Sequence, residues 1–354
     1  MKICFLAASN STHSHKWINF FSNLGHKIIW ISLVPASIKV SDNIEYYEFT
    51  SGIFSSIFKA RKLIAKLNPD IVHIHYLGYY GLLGLFSGSN KIISTPWGSD
   101  IIEGKKSFFK KQILYRILRK SKLIICDAYH MRDELKKLNV PSDKINIINF
   151  GVDTKKFVKQ ERDFKILNKF NISSELTIIS LRNFEPVYDI KTLILAAKII
   201  LQRIPDIHFL LVGRGTLEKE LKELVHTLGI DNSVHFTGFI DKELLPLLLS
   251  SSDIYVSTSL SDAGLASSTG EAMSCETPVV ISDSAENDQW INNKVNGFLF
   301  STKSSEQLAE ILIKLIKDEP LRVKVGKEGR NIIIKNYDYE NEMKKVNDLY
   351  LKFV

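Results

Sequence analysis

Two carboxylates, Asp262 and Glu271, flank a run of very small side chains in "SLSDAGLASSTGEAM", residues 259–273. A strand-like run, "DIYVST", leads into this stretch, and a helix-like run ending at Cys275 leads out. Helix N-termini carry unpaired N–H groups and a partial positive charge, so they attract anions. A bulky anion can approach only if the preceding turn lacks side chains, and Ala263, Gly264, Ala266, Ser267 and Ser268 provide that clearance. Glu271, about one turn into the helix, cannot help bind phosphate directly, but it can accept hydrogen bonds from a vicinal diol such as a ribose. Asp262, at the strand exit, can do the same for a second sugar. A phosphate between two sugars is a nucleotide sugar. The competing reading is that the small residues only permit close helix–sheet packing and that Glu271 faces solvent.

The elements around this stretch repeat one theme. Short apolar runs alternate with amphipathic helical stretches through 354 residues, which is the pattern of parallel sheets covered by helices and is long enough for two domains. The first half offers "KICFLAA", "HKIIWISL", "DIVHIHYL", "KIISTPW", "KLIICDA" and "KINIINFG" as strands. Residues 152–174 are charged and polar, as a domain junction would be. A second series follows in "ELTIISL", "IHFLLVG", "SVHFTGF", "DIYVSTS", "TPVVISD" and "NGFLF", and three helical stretches close the chain. The expected architecture is α/β, two doubly wound Rossmann-like domains over 1–160 and 161–339, with helix 340–354 returning to the first. Ligands in such sheets sit outside the carboxyl ends of the strands, so a cleft between the halves is the expected site.

Composition closes several routes. Hydrophobic residues make up 45% and charged ones 24%, so disorder is excluded. The three cysteines match no metal or disulfide spacing, and no apolar run has the length of a membrane span, so a cytoplasmic location is expected. The net charge of +8 comes without a zinc-finger, RNP or basic-zipper pattern, which argues against nucleic acid. No Gly-x-Gly-x-x-Gly turn follows a first strand, as a nicotinamide enzyme would need, and no Asp-x-Asp suggests a metal-bridged diphosphate.

The stretch "SLSDAGLASSTGEAMSCETPVVISD" resembles the donor-binding segment of family-four retaining glycosyltransferases, the "glycosyl transferases group 1" type. "IISLRNFEPVYDIKTLILAA", "LLVGRGTLEKEL" and "ENDQWINNKVNGFLF" follow in family order, and "PDIVHIHYL", "STPWGSDI" and "INIINFGVDTKKF" do so more loosely in the first half. The resemblance implies a GT-B fold with the donor held by the second domain. It implies that Arg182 clamps the donor pyrophosphate, for which a guanidinium fork is suited. Glu271 falls on the nucleotide ribose, and Asp262 stands near the carboxylate that touches the transferred sugar. Gly213, Gly215 and Gly238 match loops bordering the base, and Gly264, Leu265 and Ala266 line the donor.

This chain departs from the family in several places. Tyr188 stands where a lysine is usual, with Lys191 one helical turn further as the substitute cation. Asp262 lies one position further from Glu271 than usual, with Ala263 in the expected place. Glu276 replaces a usual glycine, and Trp97 aligns with a frequent cleft histidine.

In the first half, His73 and His75 share one strand face, and His75 is nearer the carboxyl end. They read either as buried, satisfied histidines or as acceptor-side groups. His13, His15 and Lys16 in the first β–α loop, and Asp100 after Trp97, are placed to meet an acceptor or a phosphate, and Trp97 stands on the acceptor side. Residues 105–122 hold eight basic side chains and no acidic one, with Phe109, Ile113 and Ile117 at helical spacing. That is either a core-packed helix with a solvated basic face or a docking surface for anionic lipid at the inner face of the cell membrane.

The expected activity is metal-independent, retaining transfer of a hexose-type unit from a nucleotide sugar, without a cofactor, to a cell-surface glycan or its lipid carrier. The alternatives are a nucleotide-sugar epimerase on the same fold and a non-catalytic sugar-nucleotide-binding subunit.

Overall fold

The computed structural model describes every residue except Lys106, residues 173–175 and Ala263. One sheet holds β1 (Lys2–Leu6), β2 (Lys27–Ser32), β3 (Ile44–Glu48), β4 (Ile71–His75), β5 (Ile92–Thr95), β6 (Leu123–Cys126) and β7 (Ile145–Ile147), in the order β3-β2-β1-β4-β5-β6-β7. The other holds β8 (Thr177–Ser180), β9 (His208–Val212), β10 (Val234–Gly238), β11 (Ile254–Ser257), β12 (Val279–Ser282) and β13 (Phe298–Phe300), in the order β10-β9-β8-β11-β12-β13. All these pairings are parallel. Parallel strands are covered on both faces, which is why β1 and β9 are continuous apolar runs rather than alternating ones.

The chain forms two compact units, Met1–Asn149 with Asn341–Val354, and Phe150–Glu340. The boundary sits near Asn149 rather than at 160 because Val152 is tied into the second unit. Its N–H donates to the Tyr337 carbonyl at 2.8 Å, and its carbonyl accepts from Tyr339 N–H at 2.9 Å. The stretch expected as a polar junction is packed structure: Val152, Phe157, Ile166, Leu167 and Ile172 are all buried in the second unit's core. Their apolar side chains are dispersed among charges, so the segment averages as polar. Its end, residues 173–175, lies outside the described residues.

Within the first unit, the C-terminal helix Tyr339–Phe353 is fastened by polar contacts. The Tyr350 hydroxyl bonds His73 Nδ1, Asn347 meets His26 at 2.8 Å, and Glu342 accepts from Asn149 N–H at 2.9 Å. Two further expectations change. Strand β3, "IEYYE", was not legible as a strand because it is an edge strand with exposed polar positions. Residues 105–122 do not form one helix. Ser99–Lys105 ends, and Phe108–Lys120 starts afresh on a Ser107 cap whose hydroxyl accepts from Lys110 N–H. Lys106 lies outside the described residues. Leu114, Ile117 and Leu118 form the buried stripe of the second helix, and Phe109 is exposed instead of packed.

In each sheet the strand order reverses once, between β1 and β4 and between β8 and β11. Loops leaving the carboxyl ends of those neighbours diverge to opposite faces and open a crevice. Arg182 and Asp262 of the second unit lie on the two loops that leave β8 and β11, and Glu271 lies on the helix that follows the second of them.

Candidate active site

Arg182 stands two residues beyond the end of β8 and is only 8% exposed. Its Nε donates to Ser257 Oγ, at the end of β11, at 2.9 Å. A terminal amino group is paired with the Asp262 carboxylate, which is itself buried and accepts from Ser259 Oγ at 3.2 Å. The guanidinium carbon lies 5.0 Å from the Tyr188 ring centroid, a cation–π arrangement. Burial alone would lower the pKa of Arg182. Tyr255, Asp262 and Tyr188 more than offset that and hold it above its ordinary value. The arginine is therefore charged and held from three sides. A guanidinium has five N–H donors, and Ser257 and Asp262 account for only part of that set. Asp262 is thus the counter-ion that positions Arg182.

The loop around Asp262 is built from short polar contacts. Leu260 N–H donates to the Val187 carbonyl at 2.8 Å, and the Thr258 hydroxyl donates to the Tyr188 carbonyl at 2.8 Å. Ser284 Oγ donates to the Ser259 carbonyl at 2.7 Å, and Asn287 Nδ2 to the Ser282 carbonyl at 2.9 Å. Gly264 takes a left-handed φ of 65°, which turns the chain into helix Ser267–Ser274. Ala263, one of the small residues expected to give clearance, lies outside the described residues. The N-cap is Ala266, which has no side-chain acceptor, so no cap side chain covers the first N–H groups of the helix. Helix starts usually carry Ser, Thr, Asp or Asn at this place.

Behind that start, the buried Tyr255 hydroxyl bonds Ser268 Oγ at 2.9 Å, and burial pushes its pKa up. Leu265 is buried, and Glu271 is half-buried in the second turn. Gly270 answers to packing: a Cβ there would meet Val152 Cγ2 at 2.7 Å. The packing reading of the small residues thus holds at Gly270, and the open helix start remains at Ala266.

The glycine loops also have a mechanical reason. A Cβ on Gly213 would stand 2.7 Å from the Arg182 carbonyl oxygen, and one on Gly215 would stand 2.3 Å from that of Phe184. The loop after β9 therefore lies directly on the backbone that carries Arg182. Gly213 and Gly238 bridge, with Gly213 N–H donating to the Gly238 carbonyl at 3.0 Å, and Gly238 has φ 70°. Lys191 stands exposed at the second position of helix Ile190–Leu201, and no hydrogen bond or ion pair joins it to Arg182 or Asp262. Ser257 and Tyr255 escaped sequence reasoning as site residues, and Tyr188 entered it only as the replacement of a usual lysine. The one signal for Ser257 and Tyr255 was polarity within "IYVS", in a strand otherwise apolar.

In the first unit, His75 is buried, with neither ring nitrogen hydrogen-bonded. It lies edge-on to Trp17 at 5.0 Å and to His73 at 4.7 Å, and 6.0 Å from the half-exposed Trp97. Burial, helped by the nearby His13, lowers its pKa to about 3. His73, in contrast, is satisfied on both sides, by Thr95 Oγ1 at 2.7 Å and by Tyr350. His13 and Trp97 pack edge to face at 5.8 Å. His15 is buried, bonded to the Ser9 carbonyl at 2.8 Å and packed on Trp30. The Asp100 carboxylate accepts from the N–H groups of Leu77, Trp97 and Ile101 at 2.7, 3.0 and 3.0 Å. Burial raises its pKa despite those bonds. His15 and Asp100 thus have structural partners, whereas His75, His13 and Trp97 form an aromatic group at the carboxyl end of the sheet.

Comparison with known proteins identifies the family and the fold. The family model described as glycosyl transferases group 1 matches residues 161–332, and the glycosyl transferase 4-like model matches residues 2–128. The N-acetyl-alpha-D-glucosaminyl L-malate synthase of Bacillus anthracis is 27% identical over 349 residues, 92% of this chain and 89% of that protein. The uncharacterized glycosyltransferase MJ1069 of Methanocaldococcus jannaschii is 27% identical over 278 residues, 75% of this chain and 69% of its own. Among solved structures, Anabaena HepE in complex with UDP superposes with a TM-score of 0.85 at 17% identity, covering 99% of this chain and 100% of that one. The two sheets, their strand orders and these matches identify a GT-B fold. With one family model on each unit, the chain belongs to the group 1 glycosyltransferases and is an enzyme of that type.

Proposed function

We propose that this enzyme transfers a sugar from a nucleotide-sugar donor with retention of configuration, without a metal or cofactor, to a cell-surface glycan or a lipid-linked acceptor. The observation that carries this reading is Arg182. It is a buried, charged guanidinium at the switch point of the second sheet, beside a helix start that no side chain caps. A diphosphate placed there meets fixed N–H donors and a fixed cation, and such preorganised groups stabilise the charge that grows on a leaving phosphate. Solvent-exposed Lys191 supplies further positive charge. Glu271 takes the ribose hydroxyls. HepE is described in complex with UDP and with UDP-glucose, which supports a nucleotide sugar as the ligand class.

In the proposed reaction, the bond between the anomeric carbon and the phosphate oxygen breaks, and its electron pair leaves on the diphosphate. The acceptor oxygen bonds that carbon on the same face and passes its proton to the departing phosphate. His75, His13 and Trp97 are the acceptor-side groups of the first unit.

Nucleoside diphosphates screened by thermal shift, followed by their sugars with and without acceptor, test the reading. Stabilisation by one nucleotide and slow acceptor-free hydrolysis of its sugar are expected, unchanged by EDTA. Conversion of donor to an epimer would support the alternative enzyme, and binding without any turnover would support the non-catalytic subunit. Glu271→Gln should weaken nucleotide binding roughly 10- to 150-fold, the worth of a charged hydrogen bond. Unchanged affinity in calorimetry would remove Glu271 from the ribose.

A further inference from the structure

The sequence points to residues 105–122 alone as a surface for lipid, but packing joins a second helix to it. Helices Ile53–Leu67, Tyr79–Phe86 and Phe108–Lys120 lie side by side on one face of the first sheet. The contact is close: a Cβ on Gly81 of the middle helix would stand 2.6 Å from Ile117, and Lys120 Nζ donates to the Leu85 carbonyl at 2.6 Å. The first helix carries four Lys or Arg residues, the last carries five, and none of the three carries an acidic residue. Charge of one sign extends across all three, since Arg61 of the first helix is close enough to Lys120 of the last to lower its pKa further after burial. On a flanking helix, Glu134 is paired with Lys105 and Lys137.

The same helices expose large apolar side chains. Phe54 is 87% exposed and Phe109 80%, with Phe58, Tyr79, Phe108 and the adjoining Ile102 also exposed. Phe54 and Phe58 are one turn apart on one helix face. Helices that cross between parallel strands run against them, so their N-terminal halves lie at the carboxyl edge of the sheet. Five of these six side chains are in N-terminal halves, and Ile102 is at the middle of its short helix. Apolar tips over three helices that together carry cations and no carboxylates match a bilayer surface, where rings enter the acyl boundary and cations meet headgroup phosphates, and Glu103 beside Ile102 marks the edge of that surface.

We propose that these three helices form one membrane-docking face for anionic lipid, with Phe54 and Phe58 on one side and Phe108 and Phe109 on the other. The docking stands apart from the donor assignment, but its use in presenting a lipid-borne acceptor to the ligand edge rests on the proposed function. The test is co-sedimentation of the full chain with vesicles of phosphatidylcholine alone or mixed with phosphatidylglycerol, at two salt concentrations. Binding is expected only to the anionic vesicles and to weaken with salt. Lys110→Gln with Lys111→Gln should weaken it roughly fivefold per cation removed. Phe54→Ser with Phe58→Ser, and separately Phe108→Ser with Phe109→Ser, should each reduce it at least about tenfold, with melting temperature and acceptor-free donor hydrolysis unchanged.

Absence of binding to anionic vesicles at low salt would overturn the proposal, whatever the donor hydrolysis shows. Loss with the 108/109 pair but not the 54/58 pair would overturn the three-helix face. Insensitivity to both phenylalanine pairs, with equal binding to heparin, would make it a polyanion surface and overturn it as well.

Discussion

Arg182 is the residue on which the donor reading turns, and its surroundings say what its loss should do. Ser257 and Asp262 fix the guanidinium before any ligand arrives, so little reorganisation remains when charge builds on a leaving diphosphate. Arg182→Ala should therefore lower kcat by about 100-fold or more and raise the donor KM far less. A rise in KM with kcat intact, measured in steady state, would make Arg182 a ground-state binding group. Tyr188 separates two further outcomes. Its ring, rather than a lysine charge, covers the guanidinium, so Tyr188→Phe should keep activity, while Tyr188→Ala should lose part of the kcat that Arg182→Ala loses. Asp262 belongs to the same unit of three. Removing it leaves a buried cation unpaired, a change that typically costs about 3–5 kcal/mol.

At the scale of elements, the arginine is held in place by backbone against backbone. The loop after β9 touches the exit of β8 at Gly213 and Gly215, where any Cβ would collide with a carbonyl oxygen rather than with a yielding side chain. Gly215→Ala should force the two loops apart, costing about 1–3 kcal/mol as overpacking does. It should also weaken nucleotide binding, because Phe184 and Arg182 would shift together. Thermal unfolding together with nucleotide titration checks this. A variant of parent stability and affinity would show that the loops part without effect on Arg182.

For the molecule as a whole, the buried histidines of the first unit set a pH limit. His75 has its pKa lowered to about 3 from 6.5 by burial and by His13, and that of His73 is also well below its ordinary value. Both are neutral in the folded state, while the unfolded chain takes up protons below about 6.5. The folded state then loses stability as the pH falls from 6.5 toward 3, by roughly 1.4 kcal/mol per pH unit for each such histidine. Three of the four tryptophans, Trp17, Trp30 and Trp97, lie in the first unit, so tryptophan fluorescence of a Trp290→Phe background follows its unfolding. His75→Gln should flatten the acid slope, and an unchanged slope would show that His75 does not carry it.

The sequence by itself determined the parallel architecture and singled out the candidate site residues. Doubly covered strands must be continuous apolar runs, which made the central strands legible, and twelve of the thirteen strands were read in all. An uncapped, small-residue helix start after a strand, with Arg182 after another, is likewise a local pattern. Tertiary structure decided what depends on neighbours distant in the chain. Edge strand β3 carries two exposed glutamates in five residues and so has no apolar run to recognise, and the apolar residues of 152–172 declare themselves only where they are packed. That Asp262 is spent on Arg182, that backbone amides occupy Asp100, and that Gly270 serves packing all follow from contacts across the fold. The basic and aromatic face is of the same kind. Periodicity identifies one amphipathic helix at a time, and only packing over a shared sheet sets Phe54 and Phe109 on a common surface, because side chains about fifty residues apart have no sequence pattern that links them.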